Sequence, residues 1–167
     1  RRVVNSLIAK YGKPEHIVVE LARELKLSRD QLRRKERENR EGAERNTRFR
    51  EQIEAAELEP TTSTLRKLRL WEEQHGVCPY TGTVLSFEMV MSAQTEIDHI
   101  LPVSQTLDDS PANMVVCTVK ANRDKGNNSP YDAFGHNPAG YDYDEILERA
   151  SRLPSNKGWR FQADAME

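Results

Sequence analysis

Near the middle of this chain an Asp-His pair, Asp98-His99, is followed by Asn122, and together they supply a base and hard oxygen ligands. Those are the two needs of phosphodiester hydrolysis: a base that makes water nucleophilic, and a cation that neutralises the charge building on phosphate and leaving oxygen. His99 suits the base: an unperturbed imidazole has a pKa of about 6.5, so much of it is neutral near pH 7 and accepts a proton. Asp98 and Asn122, the latter 23 residues past His99, offer hard oxygens, which favour magnesium or manganese over zinc. Glu96, two residues before Asp98 and therefore on its face of a strand, is an auxiliary ligand or a neighbour of one.

The intervening sequence must position these groups. Ile97 to Val103 is a short apolar run, Asp108-Asp-Ser-Pro-Ala112 is turn chemistry, and Met114 to Val119 is β-branched and apolar. Lys120 to Lys125 has helix-tolerant composition, with Gly126 where a C-terminal cap belongs. A strand-turn-strand-helix unit follows, with a cleft between ribbon and helix. Adjacent strand residues face opposite sides, so a site using both Asp98 and His99 requires the strand to be distorted there.

Asp98-His99, Asn113 fourteen residues after the histidine and Asn122 nine further on resemble the His-Asn-His (HNH) nuclease motif in the variant ending in Asn. The surrounding words, Glu96-Ile-Asp-His-Ile-Leu-Pro102, Asp108-Asp-Ser-Pro-Ala-Asn113, Asn122-Arg-Asp-Lys-Gly-Asn127 and Ser129-Pro-Tyr-Asp-Ala-Phe134, resemble the HNH domain of the RNA-guided DNA endonuclease of type II CRISPR systems. That resemblance implies an α+β, mainly helical fold: a ββα-metal core of a two-stranded antiparallel hairpin plus helix, surrounded by helices. It assigns His99 as general base, Asp98 and Asn122 as magnesium ligands with manganese as a substitute, and Asn113 as support for the strand bearing His99. It also implies cleavage of the DNA strand paired with guide RNA; guide pairing supplies the sequence choice in such effectors. The implied partners are that heteroduplex and the remaining domains of a larger endonuclease.

Composition narrows the class. With 37% hydrophobic and 31% charged residues the core must be modest, and no apolar run approaches the ~18 residues of a membrane span. The expectation is a soluble, cytoplasmic protein, monomeric as an isolated fragment and without a membrane partner. A net charge of -2 argues against a simple nucleic-acid-coating protein. Charge is uneven, however: Lys26 to Arg50 holds ten Lys or Arg against five Asp or Glu, a stretch suited to a phosphate backbone or to a helix laced with ion pairs. Cys78 and Cys117 lie 39 residues apart with no Cys-x-x-Cys pair, which rules out the paired-cysteine zinc site and predicts two packed thiols.

The flanks divide the chain into residues 1–25, 26–62, 63–153 and 154–167. In the first, Val3, Val4, Leu7 and Ile8 have helical spacing, Gly12 and Pro14 stop it, and Ile17-Val-Val19 reads as a short strand ending at Glu20. Lys13 to Glu24 resembles the second RuvC-like segment of the same endonucleases, Glu20 matching its catalytic carboxylate. That second site is incomplete here, since its other acidic residues come from distant segments. Ser28-Arg-Asp-Gln31 forms a capping-box pattern opening a polar helix that resembles the linker between the two nuclease domains. Thr64 to His75 is a helix with Leu65, Leu68 and Trp71 on one face. By the same resemblance residues 63–153 correspond to the nuclease domain and 154–167 to the start of a second linker, in which Trp159 and Phe161 are expected to be partly exposed. The chain opens Arg1-Arg2 without a methionine, which reads as a portion of something larger. Two rivals remain: a free-standing HNH nicking or restriction-type enzyme, and a non-catalytic adaptor on an HNH-like scaffold.

Overall fold

The computed structural model describes residues 2–13, 28–154 and 156–166. His16, the expected strand at Ile17-Val-Val19 and Glu20 lie outside the described residues. The chain forms two units, Arg1–Gly42 and Ala43–Glu167. In the first, α1 (Arg2–Tyr11) ends where Gly12 takes a φ of +81°, a left-handed conformation that costs glycine little. Helix α2 (Arg29–Ala55) opens on the capping box: Gln31 N–H donates to Ser28 Oγ (3.2 Å) and Ser28 N–H to Gln31 Oε1 (2.9 Å). Its polar opening turns carry i,i+4 pairs, Arg34–Glu38 and Arg37–Glu41, each contributing roughly 0.2–0.5 kcal/mol.

In the second unit, the last turns of α2 bury Phe49 and Ile53. Thr61 caps α3 (Thr62–Glu73), accepting the Thr64 N–H, and α3 buries Leu65, Leu68 and Leu70. After α4 (Phe87–Met91) come β1 (Thr95–His99), α5 (Val103–Thr106), β2 (Met114–Thr118), α6 (Val119–Lys125), α7 (Pro130–Phe134) and α8 (Tyr143–Ser151). Strands β1 and β2 pair antiparallel, from Thr95↔Thr118 to His99↔Met114. Side chains of α3, α4, α6, α7 and α8 close over this hairpin, with Leu68, Val90, Ile100, Val116, Ala121 and Ile146 fully buried. Burying such an aliphatic side chain is worth about 1.5–3 kcal/mol, so these few residues carry much of the fold. Both cysteines are buried and unbridged.

A two-stranded sheet leaves outward-facing backbone groups on both edges, and here side chains satisfy several of them. Gln74 accepts the Val116 N–H (2.9 Å) and donates to Val116 O (2.7 Å), as a neighbouring strand would do. Lys67 Nζ donates to Thr95 O (2.7 Å), Lys125 Nζ to His99 O (2.8 Å) and Lys157 Nζ to Met114 O (2.9 Å).

Three expectations change. The apolar run to Val103 is not all strand: β1 stops at His99, Ile100 and Leu101 are buried beyond it, and Pro102 opens α5. Composition cannot distinguish those two arrangements, because both bury the same residues. The strand is not distorted at Asp98-His99, since the ladder runs in simple register through His99; His99 is the last residue of β1 and so borders the site from the strand end, not from the face that Asp98 shares with Glu96. Finally, Phe161 is fully buried, its ring 5.9 Å from Tyr80, while Trp159 is 50% exposed.

Candidate active site

Helix α6 folds back across β1 so that residues one turn apart meet residues two apart on the strand, the spacing shared by a helix face and a strand face. Asn122 Nδ2 donates to Glu96 Oε2 at 2.7 Å, and Lys125 Nζ to Asp98 Oδ1 at 3.2 Å. Thr118 sets the helix start by accepting the Ala121 N–H, and Gly126, at φ +58°, ends it. Glu96, Asp98 and Asn122 thus lie where α6 meets β1.

Asp98 is 7% exposed and Lys125 1%. A buried ion pair persists where further hydrogen bonds satisfy it, and this one has them. Tyr80 Oη donates to Asp98 Oδ2 at 2.6 Å, and Lys125 also binds His99 O. Tyr80 is fully buried between Phe134 and Phe161, with ring centroids at 5.4 and 5.9 Å. Its backbone is pinned from α8, where Arg149 donates to Pro79 O and Tyr80 O. Burial and the adjacent Asp98 charge push the Tyr80 pKa well up, so its hydroxyl keeps its proton and donates. Burial raises the Asp98 carboxyl; Lys125, Tyr80 and His99 pull it back down.

His99 ends β1 with its side chain 29% exposed, Nε2 lying 2.9 Å from Asp109 Oδ1. Asp109 belongs to the turn that returns the chain to β2, and Asn113 ties that turn together. Fully buried, Asn113 accepts the Leu101 N–H at 2.9 Å and donates to Leu101 O and Asp108 O, each at 2.9 Å. Its amide therefore braces the two residues beyond His99 against the loop carrying Asp109.

For a divalent cation the available donors are hard oxygens. Asn122 spends its amide N–H on Glu96, which leaves Oδ1 for another partner, and Glu96 and Asp98 add carboxylates. Among the described residues no group of three or more His, Cys, Asp or Glu gathers to form a closed metal cage. The set fits magnesium, which keeps several waters and takes only one or two protein carboxylates beside substrate phosphate. Residue types and spacing pointed to Asp98, His99 and Asn122. Tyr80, Lys125 and Asp109 were missed, because an aromatic 18 positions upstream of Asp98 and a lysine 27 downstream become its partners only once the helices pack.

A ββα hairpin-helix with these residues defines an HNH endonuclease domain, and residues 78–131 match the HNH endonuclease family model. Beyond that stretch, nearly the whole chain is homologous to one portion of the CRISPR-associated endonuclease Cas9. It is 32% identical to Cas9 1 of Streptococcus thermophilus, over 93% of this chain and 15% of that protein. It is 35% identical to Cas9 of Campylobacter jejuni, over 94% of this chain and 16% of that protein. In structure it resembles S. thermophilus Cas9 in complex with the GGAA PAM: TM-score 0.71, 28% identity, 99% of this chain and 17% of that one covered. The chain thus spans about a sixth of the length of these relatives. Among the described residues no helix is long and apolar enough to cross a membrane.

Proposed function

We propose that this chain is the magnesium-dependent nuclease domain that cuts the guide-paired DNA strand within a larger CRISPR effector acting in the bacterial cytoplasm. The observation that carries this is the meeting of α6 with β1 through Asn122–Glu96 and Lys125–Asp98, with His99 held by Asp109 at the strand end. Asp98 and Asn122 would hold the cation, which supplies charge neutralisation at the phosphate and the departing oxygen. Manganese would substitute, having the same preference for oxygen donors.

His99 takes the proton from the attacking water. A carboxylate at Nε2 keeps the proton on that nitrogen and leaves the Nδ1 lone pair free to act, so Asp109 selects the basic tautomer. The water oxygen bonds to phosphorus as the bond from phosphorus to the 3′ oxygen breaks. Solvent protonates the departing oxygen, giving 3′-hydroxyl and 5′-phosphate ends. Asn113 keeps the loop with Asp109 at its distance from the strand. Residues 26–62 and 154–167 lead to the other domains of the effector, packing Phe49, Ile53 and Phe161 into this domain's core on the way, and Glu20 in residues 1–25 belongs to a separate carboxylate site completed by those domains. The isolated chain is a monomer.

The test is incubation with a guide-RNA–DNA heteroduplex and magnesium or manganese, alongside His99→Ala. Cutting confined to the DNA strand and lost in the variant supports the reading. Cutting that survives in His99→Ala removes His99 as base, and equal cutting of unpaired duplex favours a free-standing nicking enzyme.

A further inference from the structure

The turn Gly158–Phe161, in the stretch whose sequence resembles the second linker, meets the site at two points. Phe161 packs on Tyr80, the residue bonded to Asp98. Its neighbour Arg160 reaches the other side: Nη2 donates to Asp108 Oδ2 at 2.8 Å, and Nη1 binds Asn156 O. The guanidinium side chain is only 11% exposed, and its Nε is buried with no protein partner. Arginine is seldom buried unless paired, and an unpartnered buried N–H costs stability. An ion pair that merely fastened a chain end would be cheaper at the surface.

Asp108 is the residue before Asp109, and every polar group it offers is fixed. Oδ1 accepts the Ser110 N–H (3.0 Å), the backbone O accepts from Asn113, and Oδ2 accepts from Arg160. Asp109 itself is exposed, with 74% of its side chain open to solvent, so its place beside His99 depends on the backbone that carries it. Lys157, three residues before Arg160, holds Met114 O, the strand partner of His99, and pairs with Glu73 at 2.6 Å.

We propose that Arg160 is a positioning residue for the base: by fixing Asp108 it fixes the turn that holds Asp109 against His99 and so sets the imidazole tautomer. This rests on the reading of His99 as base. Steady-state cleavage kinetics and the histidine ¹⁵N NMR spectrum of the metal-free chain test it in Arg160→Met, Arg160→Lys, Asp108→Asn and the Arg160→Met/Asp108→Asn pair. His99→Ala assigns the resonance and checks the base. Arg160→Met is expected to lower kcat about tenfold with KM nearly unchanged, as loss of an orienting partner does, and to mix the His99 tautomers. Arg160→Lys should recover most of kcat, and the double variant should be no slower than the slower single. Should Arg160→Met prove poorly folded by circular dichroism, Asp108→Asn carries the same comparison. Unchanged kcat or an unchanged His99 spectrum in folded variants, with His99→Ala inactive, overturns the proposal and leaves Arg160 a fastening. An active His99→Ala overturns the base reading, and this proposal with it.

Discussion

Asp98 and His99 are adjacent in sequence yet live in opposite environments. Asp98 is sealed in, its two oxygens taken by a fully buried tyrosine and a fully buried lysine. His99 is partly open, and its partner Asp109 is mostly in solvent. The difference follows from the tasks proposed for them. A ligand's oxygen must keep its position as charge arrives, and burial with fixed dipoles provides that at no reorganisation cost. A base must meet water and release its proton afterwards, which a sealed imidazole cannot do.

The contrast is broken most severely at the base. His99→Ala should lower cleavage by about 10²–10⁴-fold, the range for losing a positioned general base, while circular dichroism and melting temperature stay close to the parent's. If cutting persists, the open end of the strand is not the catalytic end. At the sealed end the first effect is on stability. Lys125→Met leaves Asp98 buried without its counter-ion, a change expected to cost about 3–5 kcal/mol. Thermal melts should show it, and magnesium should raise the melting temperature of Lys125→Met more than that of the parent, because the cation no longer competes with an ammonium for Asp98. Equal magnesium shifts would mean that the cation does not use Asp98.

Tyr80→Phe removes one hydrogen bond from a buried charge, for about 1.5–3 kcal/mol, read by urea unfolding. A loss below 0.5 kcal/mol would show the Tyr80–Asp98 contact to be dispensable. The smallest effect concerns Asp108, whose carboxyl is held at about 2 by the Ser110 and Arg160 hydrogen bonds. A depressed folded pKa adds stability above the unfolded value of about 3.9, and that contribution is lost as pH falls from there through about 2. Asp108→Asn should therefore flatten the melting curve's acid slope over that window and leave it unchanged between pH 5 and 8.

Much of this was legible in residue order. The hairpin, α6 and the caps at Ser28, Thr61 and Gly126 follow from local rules, since a capping oxygen or a glycine acts within one turn of where it stands. Asp98, His99, Asn113 and Asn122, the residues proposed for the site, lie in one short, strongly worded stretch. The partners that give those residues their character do not stand out in this way. Tyr80 reads as turn chemistry, Lys125 as an ordinary helix lysine and Arg160 as part of a linker. Their roles come from contacts over 18, 27 and 52 residues, separations at which no periodicity carries information. The end of β1 was misjudged for a related reason: Ile100 and Leu101 look like strand because they are buried, and burial does not reveal which element does the burying.

The capped edges of the hairpin have a consequence beyond this site. With Gln74, Lys67, Lys125 and Lys157 bonded to its outward backbone groups, the sheet offers little template for recruiting a third strand. A sheet in a neighbouring domain would therefore find few free groups on this hairpin to pair with. At high concentration the folded chain should likewise resist edge-to-edge aggregation.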